Sequence, residues 1–358
     1  PINRDFIHDF IKELPGDVTD DLTFLEFTPQ RTSQIDPNKS LFKQLDKKDI
    51  LLFYPYQTMD HFLDFLKEAA NDPEVLSIKI TLYRVARTSR VIKYLIEALD
   101  NDKEVTVLIE LRARFDEKNN IHYAELLEEA GCQILYGFVD YKVHSKICTV
   151  TKKHKGTIKQ YTQIGTGNYN EKTARLYVDY CYLTSNQEIG DDATEFFKNL
   201  ALANLQGHYN SFTDRRIIDK IAKASKAGVT VKMIIRGICC IIPGIKDKTD
   251  NIEIRGIVGR YLEHSRVYAF GVDEDRVLYI SSADMMTRNT AKRVEIACPI
   301  EDKAIKARIL EDLDIMLKDD IKGRRINSDG NYECIQQARH INSQEFFQQR
   351  AIDEMKDV

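Results

Sequence analysis

The sequence predicts an α/β fold: two sandwich domains with mixed sheets, related by a pseudo-twofold axis. Three observations carry this. One unit is written twice: Val105-Thr106-Val107, a run closing on Arg112, His144-Ser145-Lys146 and Gly165-Thr166-Gly167-Asn168, then Val229-Thr230-Val231, a run closing on Arg236, His264-Ser265-Arg266 and Ser281-Ser282-Ala283-Asp284. Strands and helices alternate throughout both copies. The 358 residues are enough for two domains, each burying its own core.

Taken in order, residues 1–48 are polar and broken by Pro15-Gly16, Pro29 and Pro37, which reads as a linker or the remnant of a preceding domain. The first domain is expected over 49–207. Phe62, Leu63, Phe65, Leu66 and Ala69 keep helical spacing within 59–70. A strand follows over 75–83, a helix over 91–100, a strand over 104–111, a helix near 122–130, and strands over 132–136, 142–150 and 161–164. A helix at 191–205 closes this half. The second domain is expected over 208–358, with a helix at 216–226, strands at 229–235, 252–257, 267–270 and 277–281, and an amphipathic helix at 304–317. The Gln-rich tail past Asn327 reads as loop and helix packed on the surface.

Composition narrows the function. Lys and Arg total 52 against 56 Asp and Glu, a net charge of -4, so nucleic acid held by bulk charge is not expected. A polyanion would need local clustering of cations. The 7 cysteines show neither CxxC spacing nor matched His pairs, so no zinc site or disulfide framework is indicated. Cys239-Cys240 lie in an apolar run and read as buried, reduced thiols, which fits a cytoplasmic setting. The most apolar stretch, 229–242, is interrupted by Lys232 and Arg236 and falls short of the ~18 apolar residues of a membrane span. Surface association with a membrane is compatible with this.

The duplicated histidine-plus-cation unit suits phosphate. A neutral imidazole can attack phosphorus, and transfer is then eased by positioning and by neutralising the equatorial oxygens. Lys146, two residues after His144 on an expected strand, would stand beside the transferring group as a point charge. Arg84, Arg112 and Arg114 close strands whose ends should approach His144, and arginine forks suit flanking phosphates. The glycines at 165 and 167 would let backbone amides reach an anion. Tyr177 and Tyr180, in a strand-like run, read by default as sheet packing. His8, His61, His122, His154, His208 and His340 have no partnered context and read as structural or solvated.

The paired His-x-Lys/Arg units with their small-residue loops resemble the phospholipase D superfamily. Longer strings are more specific: Tyr54-Pro-Tyr-Gln57, Ile80-Thr-Leu-Tyr-Arg-Val-Ala86, Glu110-Leu-Arg-Ala-Arg-Phe-Asp-Glu117, Ile235-Arg-Gly-Ile-Cys-Cys240, Tyr261-Leu-Glu-His-Ser-Arg266 and Ser281-Ser-Ala-Asp-Met-Met-Thr-Arg-Asn289 resemble polyphosphate kinase of the first type, over about 49–331. The resemblance implies reversible transfer of the ATP γ-phosphate to the end of inorganic polyphosphate, with magnesium, through a phosphohistidine. It makes His144 the nucleophile and brings His264 to the nucleotide phosphates as acid or base, with Lys146 in support. Tyr177 and Arg236 match nucleotide contacts, and Asn168 closes the phosphate loop. Arg84 and Arg114 match positions associated with magnesium; arginine cannot ligate a cation, so they are expected to hold the phosphate that carries it. A homo-oligomer and a Lys/Arg-lined tunnel to His144 are also implied.

Three departures qualify this. The family's N-terminal half has no counterpart, so the chain is expected to be a C-terminal catalytic portion. The stretch between Phe197 and Ser211 is shorter than the family pattern. The alternative, a phospholipase D-type phosphodiesterase or phosphatidyl transferase, would want an acid at position 151, which is Thr151.

Overall fold

The computed structural model describes residues 6–113, 116–202, 215–286, 289, 292–336 and 338–356. The first half builds β1 (Ile50–Tyr54), β2 (Val75–Leu82), β3 (Glu104–Ile109), β4 (Gln133–Tyr136), β5 (Lys142–Val143), β6 (Ile147–His154), β7 (Thr157–Gly165) and β8 (Tyr177–Thr184). Seven of these form one mixed sheet in the order β1-β8-β7-β6-β2-β3-β4, with β2, β3 and β4 mutually parallel and the rest antiparallel.

Both faces of this sheet are covered, so its strands read as continuous apolar runs rather than as alternation. In β1, Ile50, Leu52 and Tyr54 face one core and Leu51 and Phe53 the other. The first core takes Phe62, Phe65 and Ala69 from helix Asp60–Asn71 and Val91, Leu95 and Ala98 from helix Arg90–Asp100. Ser89 caps the latter by accepting from Val91 N. The second core takes Phe197 from helix Gln187–Ala201, Ile305 and Ile309 from helix Lys303–Lys318 and Phe347 from helix Ser343–Lys356. The helix expected from residue 191 starts earlier because Asn186 accepts from Glu188 N and Ile189 N.

The second half supplies β9 (Val231–Ile234), β10 (Ile252–Ile257), β11 (Leu262–Glu263), β12 (Val267–Phe270), β13 (Val277–Ser281), β14 (Arg293–Val294), β15 (Ala297–Pro299), β16 (Gly323–Ile326) and β17 (Tyr332–Cys334). Seven of them form two sheets, β12-β13-β15 and β17-β16-β10-β9, while β11 and β14 pair with strands of the first half. In the first half β2 joins β6 to β3; among the described residues no strand joins β12 to β9. The duplication is therefore closer at the histidines than in the sheets. The expected boundary at 207/208 lies outside the described residues.

Four expectations change. The segment before residue 48 is not merely a linker, because Ile35, Leu41, Phe42 and Leu45 enter the first core and Thr32 N donates to His61 Nε2 at 3.0 Å. The C-terminal tail is not only surface, since Phe347 packs on Phe53 and Tyr56. Cys240 is exposed and Cys239 half-buried, so that pair is not the buried one; Cys132, Cys148, Cys181 and Cys298 are. The strand expected over 142–150 divides into β5 and β6, and His144-Ser145-Lys146 lies in the break.

Candidate active site at the junction of the two halves

That break is held open by side chains replacing the sheet ladder. Glu110 Oε2 accepts from Val143 N at 2.9 Å, while Thr81 Oγ1 donates to Ser145 O at 2.8 Å and accepts from Ile147 N at 3.2 Å. The chain is then free to pair across the molecule. β5 runs parallel to β14 of the second half, and β11 runs parallel to β8 of the first. His144 N and His264 N donate to Val294 O and Val178 O at 2.9 and 3.1 Å. Each histidine is thus docked on a strand of the other half, which is the pseudo-twofold relation at the site.

The relation extends to the rings. His144 Nδ1 lies 3.0 Å from Glu295 Oε2, and His264 Nδ1 lies 2.9 Å from both oxygens of Asp179. Facing a carboxylate, Nδ1 carries the proton and Nε2 keeps its lone pair. Thr166 Oγ1 donates to Asp179 at 2.6 Å, and Ser282 Oγ occupies the same place on Glu295. Asn289 Nδ2 donates to the other Glu295 oxygen at 2.9 Å. Both hydroxyls lie 13 residues before their carboxylates.

The cations gather around these frames. Lys146 is 1% exposed, with Nζ turned back to His144 O and 5.2 Å from the Tyr83 ring centre. Arg266 Nη1 reaches His264 O at 2.7 Å and, across the halves, Thr166 O at 3.1 Å; its Nε pairs with Asp284 at 2.9 Å. Arg236 pairs with Asp284 at 3.2 Å and keeps a buried Nη1 without a hydrogen-bond partner. Tyr83 sets its edge against His144 and Tyr177 leans on His264, with ring centres 4.7 and 5.0 Å apart.

Burial first, then the charges of Lys146, Arg293, Arg266 and His264, hold the His144 pKa well below its usual 6.5. Burial and Arg266 push His264 down to about 4 against the pull of Asp179. Both imidazoles are neutral at pH 7, and each half's charges act on the other's histidine. Burial pushes Lys146 well below the usual amine range, while Glu295 draws it up. Burial also raises Glu295; Asp179, although buried, is held low by His264, Arg266 and Thr166.

The sequence-predicted residues divide accordingly. His144, Lys146, His264, Arg236 and Tyr177 come together. Asn168 stands in the adjoining loop with a buried Oδ1 that lacks a partner. Arg84 lies beside Tyr83 and pairs with Asp116 at 3.2 Å. Arg112 turns away, donating to the carbonyls of Phe138, Val139 and Tyr141. Arg114 lies outside the described residues. Gly165 N and Thr166 N serve backbone bonds to Lys146 O and Tyr180 O rather than an anion. Gly167 has a different use: a Cβ there would stand 2.2 Å from Asp179 Oδ2, so the glycine makes room for that carboxylate.

A resident magnesium does not fit the residues described. Asp179, Glu295 and Asp284 are each committed to a histidine or arginine, and no group of three or more His, Cys, Asp or Glu among the described residues could hold a metal.

Residues 40–206 match the family model for polyphosphate kinase C-terminal domain 1, and residues 187–345 match that for C-terminal domain 2. The polyphosphate kinase of Staphylococcus haemolyticus (strain JCSC1435) is 40% identical over 390 residues, covering 98% of this chain and 54% of the relative. The chain thus spans about half the length of the curated relatives it matches. The crystal structure of polyphosphate kinase from Porphyromonas gingivalis superposes with a TM-score of 0.86 at 29% identity, covering 96% of this chain and 59% of that one. Phosphatidylserine synthase from Haemophilus influenzae Rd KW20, at 11% identity and a TM-score of 0.54 over 88% of this chain and 96% of that one, shares the fold alone. Matched along both halves, the chain belongs to the polyphosphate kinase family.

Proposed function

We propose that the chain provides the catalytic half of a polyphosphate kinase, moving the ATP γ-phosphate reversibly to the end of inorganic polyphosphate through a phosphohistidine at His144. The observation that carries this is the frame of His144: Glu295 accepts a hydrogen bond from Nδ1–H and leaves Nε2, with its lone pair, as the buried nucleophile of a neutral ring. Nε2 bonds to the γ-phosphorus as the bond from phosphorus to the β,γ-bridging oxygen breaks, releasing ADP. The chain end then attacks the same phosphorus and returns the lone pair to Nε2. Lys146, Arg266 and Arg293 offset the charge on the transferring group, which is the main work in phosphoryl transfer. The unpartnered Arg236 Nη1 and the Tyr177 ring supply donor and wall for the nucleotide. His264 meets its phosphates; their charge raises its pKa, so that it can pass a proton to the leaving oxygen.

Magnesium belongs to the nucleotide substrate in this scheme, with Arg84 and Arg114 holding the phosphates that carry it. The division into catalytic domains near 207/208, homo-oligomerisation, cytoplasmic residence and peripheral membrane contact are further parts of the proposal. In the described residues no helix is long and apolar enough to cross a membrane. The test is His144→Ala in the full-length protein given labelled ATP and magnesium. Base-stable, acid-labile label and chain extension should both disappear; retained extension refutes the assignment.

A further inference from the structure

Glu263, on β11 immediately before His264, is a carboxyl that the proposed chemistry does not use. It is buried, and Oε2 has no hydrogen-bond partner. Oε1 accepts one bond, from Gln344 Nε2 at 2.6 Å; the same side chain joins both backbone groups of Tyr261. An ionised carboxylate with one bare buried oxygen is costly, whereas the neutral acid is tolerated. Its surroundings agree. Asp179 and Tyr180 face it from β8, Tyr56 from the turn after β1, Asp319 from the turn before β16, and Arg236 from beyond β9. Arg236 is the lone cation among these, and it is already paired with Asp284.

We propose that Glu263 is a positioning residue whose carboxyl proton sets the charge behind His264, the residue being protonated when nucleotide phosphates occupy the site and ionised as the empty site meets alkaline solution. Neutral Glu263 leaves Asp179 as the anion orienting the ring. Ionised Glu263 places a second negative charge behind the phosphates and opposes their binding. The proton is taken from solvent as the nucleotide enters. Burial, with repulsion from Asp319 and Asp179 against the Gln344 bond and Arg236, lifts the carboxyl to about 7, where such exchange is easy. The nucleotide half of this inference rests on the proposed function.

Infrared titration of the full chain reads the proton directly. A carboxylic-acid carbonyl band with a midpoint near pH 7 should be present, and Glu263→Gln should remove it. Gln344→Met, which deletes the donor to Oε1, should move the midpoint upward. Saturating ATP should raise it by ~0.5 unit or more. A band that survives Glu263→Gln overturns the proposal. If that variant does not fold, a midpoint unmoved by Gln344→Met overturns it instead. ATP that binds without moving the midpoint refutes the coupling, whereas ATP that does not bind refutes the proposed function and leaves the carboxyl titration to stand on the other two results.

Discussion

Replacing Glu295 by glutamine removes one charge from the frame of His144 and almost none of its shape. Glu295 Oε2 faces two donors, His144 Nδ1 and the Ser282 hydroxyl, so an amide nitrogen there would be repelled. At the Oε1 position the nitrogen would meet Asn289 Nδ2, but Asn289 Oδ1 is buried without a partner, and the amide can turn over to accept. The variant therefore settles with its oxygen toward the ring and keeps the tautomer. What it loses is the anion facing Nδ1–H when phosphorylation makes the ring cationic. A hydrogen bond to a charged group contributes ~1.5–3 kcal/mol and a neutral one ~0.5–1.5, a difference of ~1.5 kcal/mol or roughly tenfold in rate. Burial at 5% exposure places the effect toward ~100-fold. Rapid-quench labelling of His144 by ATP should slow by ~10–100-fold while ATP affinity changes less than ~2-fold. An unchanged labelling rate, or a loss confined to affinity, would refute the orienting role.

Asp179→Asn acts on the other ring and should weaken equilibrium ATP binding by roughly tenfold with the His144 frame intact, since it strips the anion from Nδ1 of His264; unchanged binding would remove His264 from the nucleotide end. The His264 pKa falls from 6.5 unfolded to about 4 folded, so the unfolded chain binds the extra proton between those values. This group adds nothing above pH 6.5 and costs up to ~3 kcal/mol as pH drops to 4, and urea midpoints for His264→Gln should show a correspondingly flatter acid decline. Phe347→Ala, deleting a ring 2% exposed between Phe53 and Tyr56, should cost ~3–5 kcal/mol in urea unfolding; a loss under ~1 kcal/mol would mean the C-terminal helix is not part of the core.

The α/β architecture and both histidines were legible because they are local. Strand and helix periods span a few residues, and the His-x-cation units repeat within one short window each. Where the sequence misled, a side chain from far away had replaced a backbone rule. The expected strand over 142–150 breaks at His144 because Thr81 and Glu110, 64 and 33 residues distant, take over its backbone bonds. The Gln-rich tail reads as surface since, among its described residues, only Phe347 and Ala351 of the apolar ones are buried, yet Gln344 and Arg350 are drawn in by polar partners, Tyr261 and Asp312. The strand β1 escaped notice because five apolar residues covered on both faces carry no alternation. The orienting carboxylates were missed, although a signal existed. Thr166 precedes Asp179 by the same 13 residues that separate Ser282 from Glu295. Extending the repeat past its small-residue loops would have exposed the match, and with it why the chain is duplicated: neither half holds its own histidine, so a single copy would present an imidazole with no acceptor for Nδ1 and no strand to dock on.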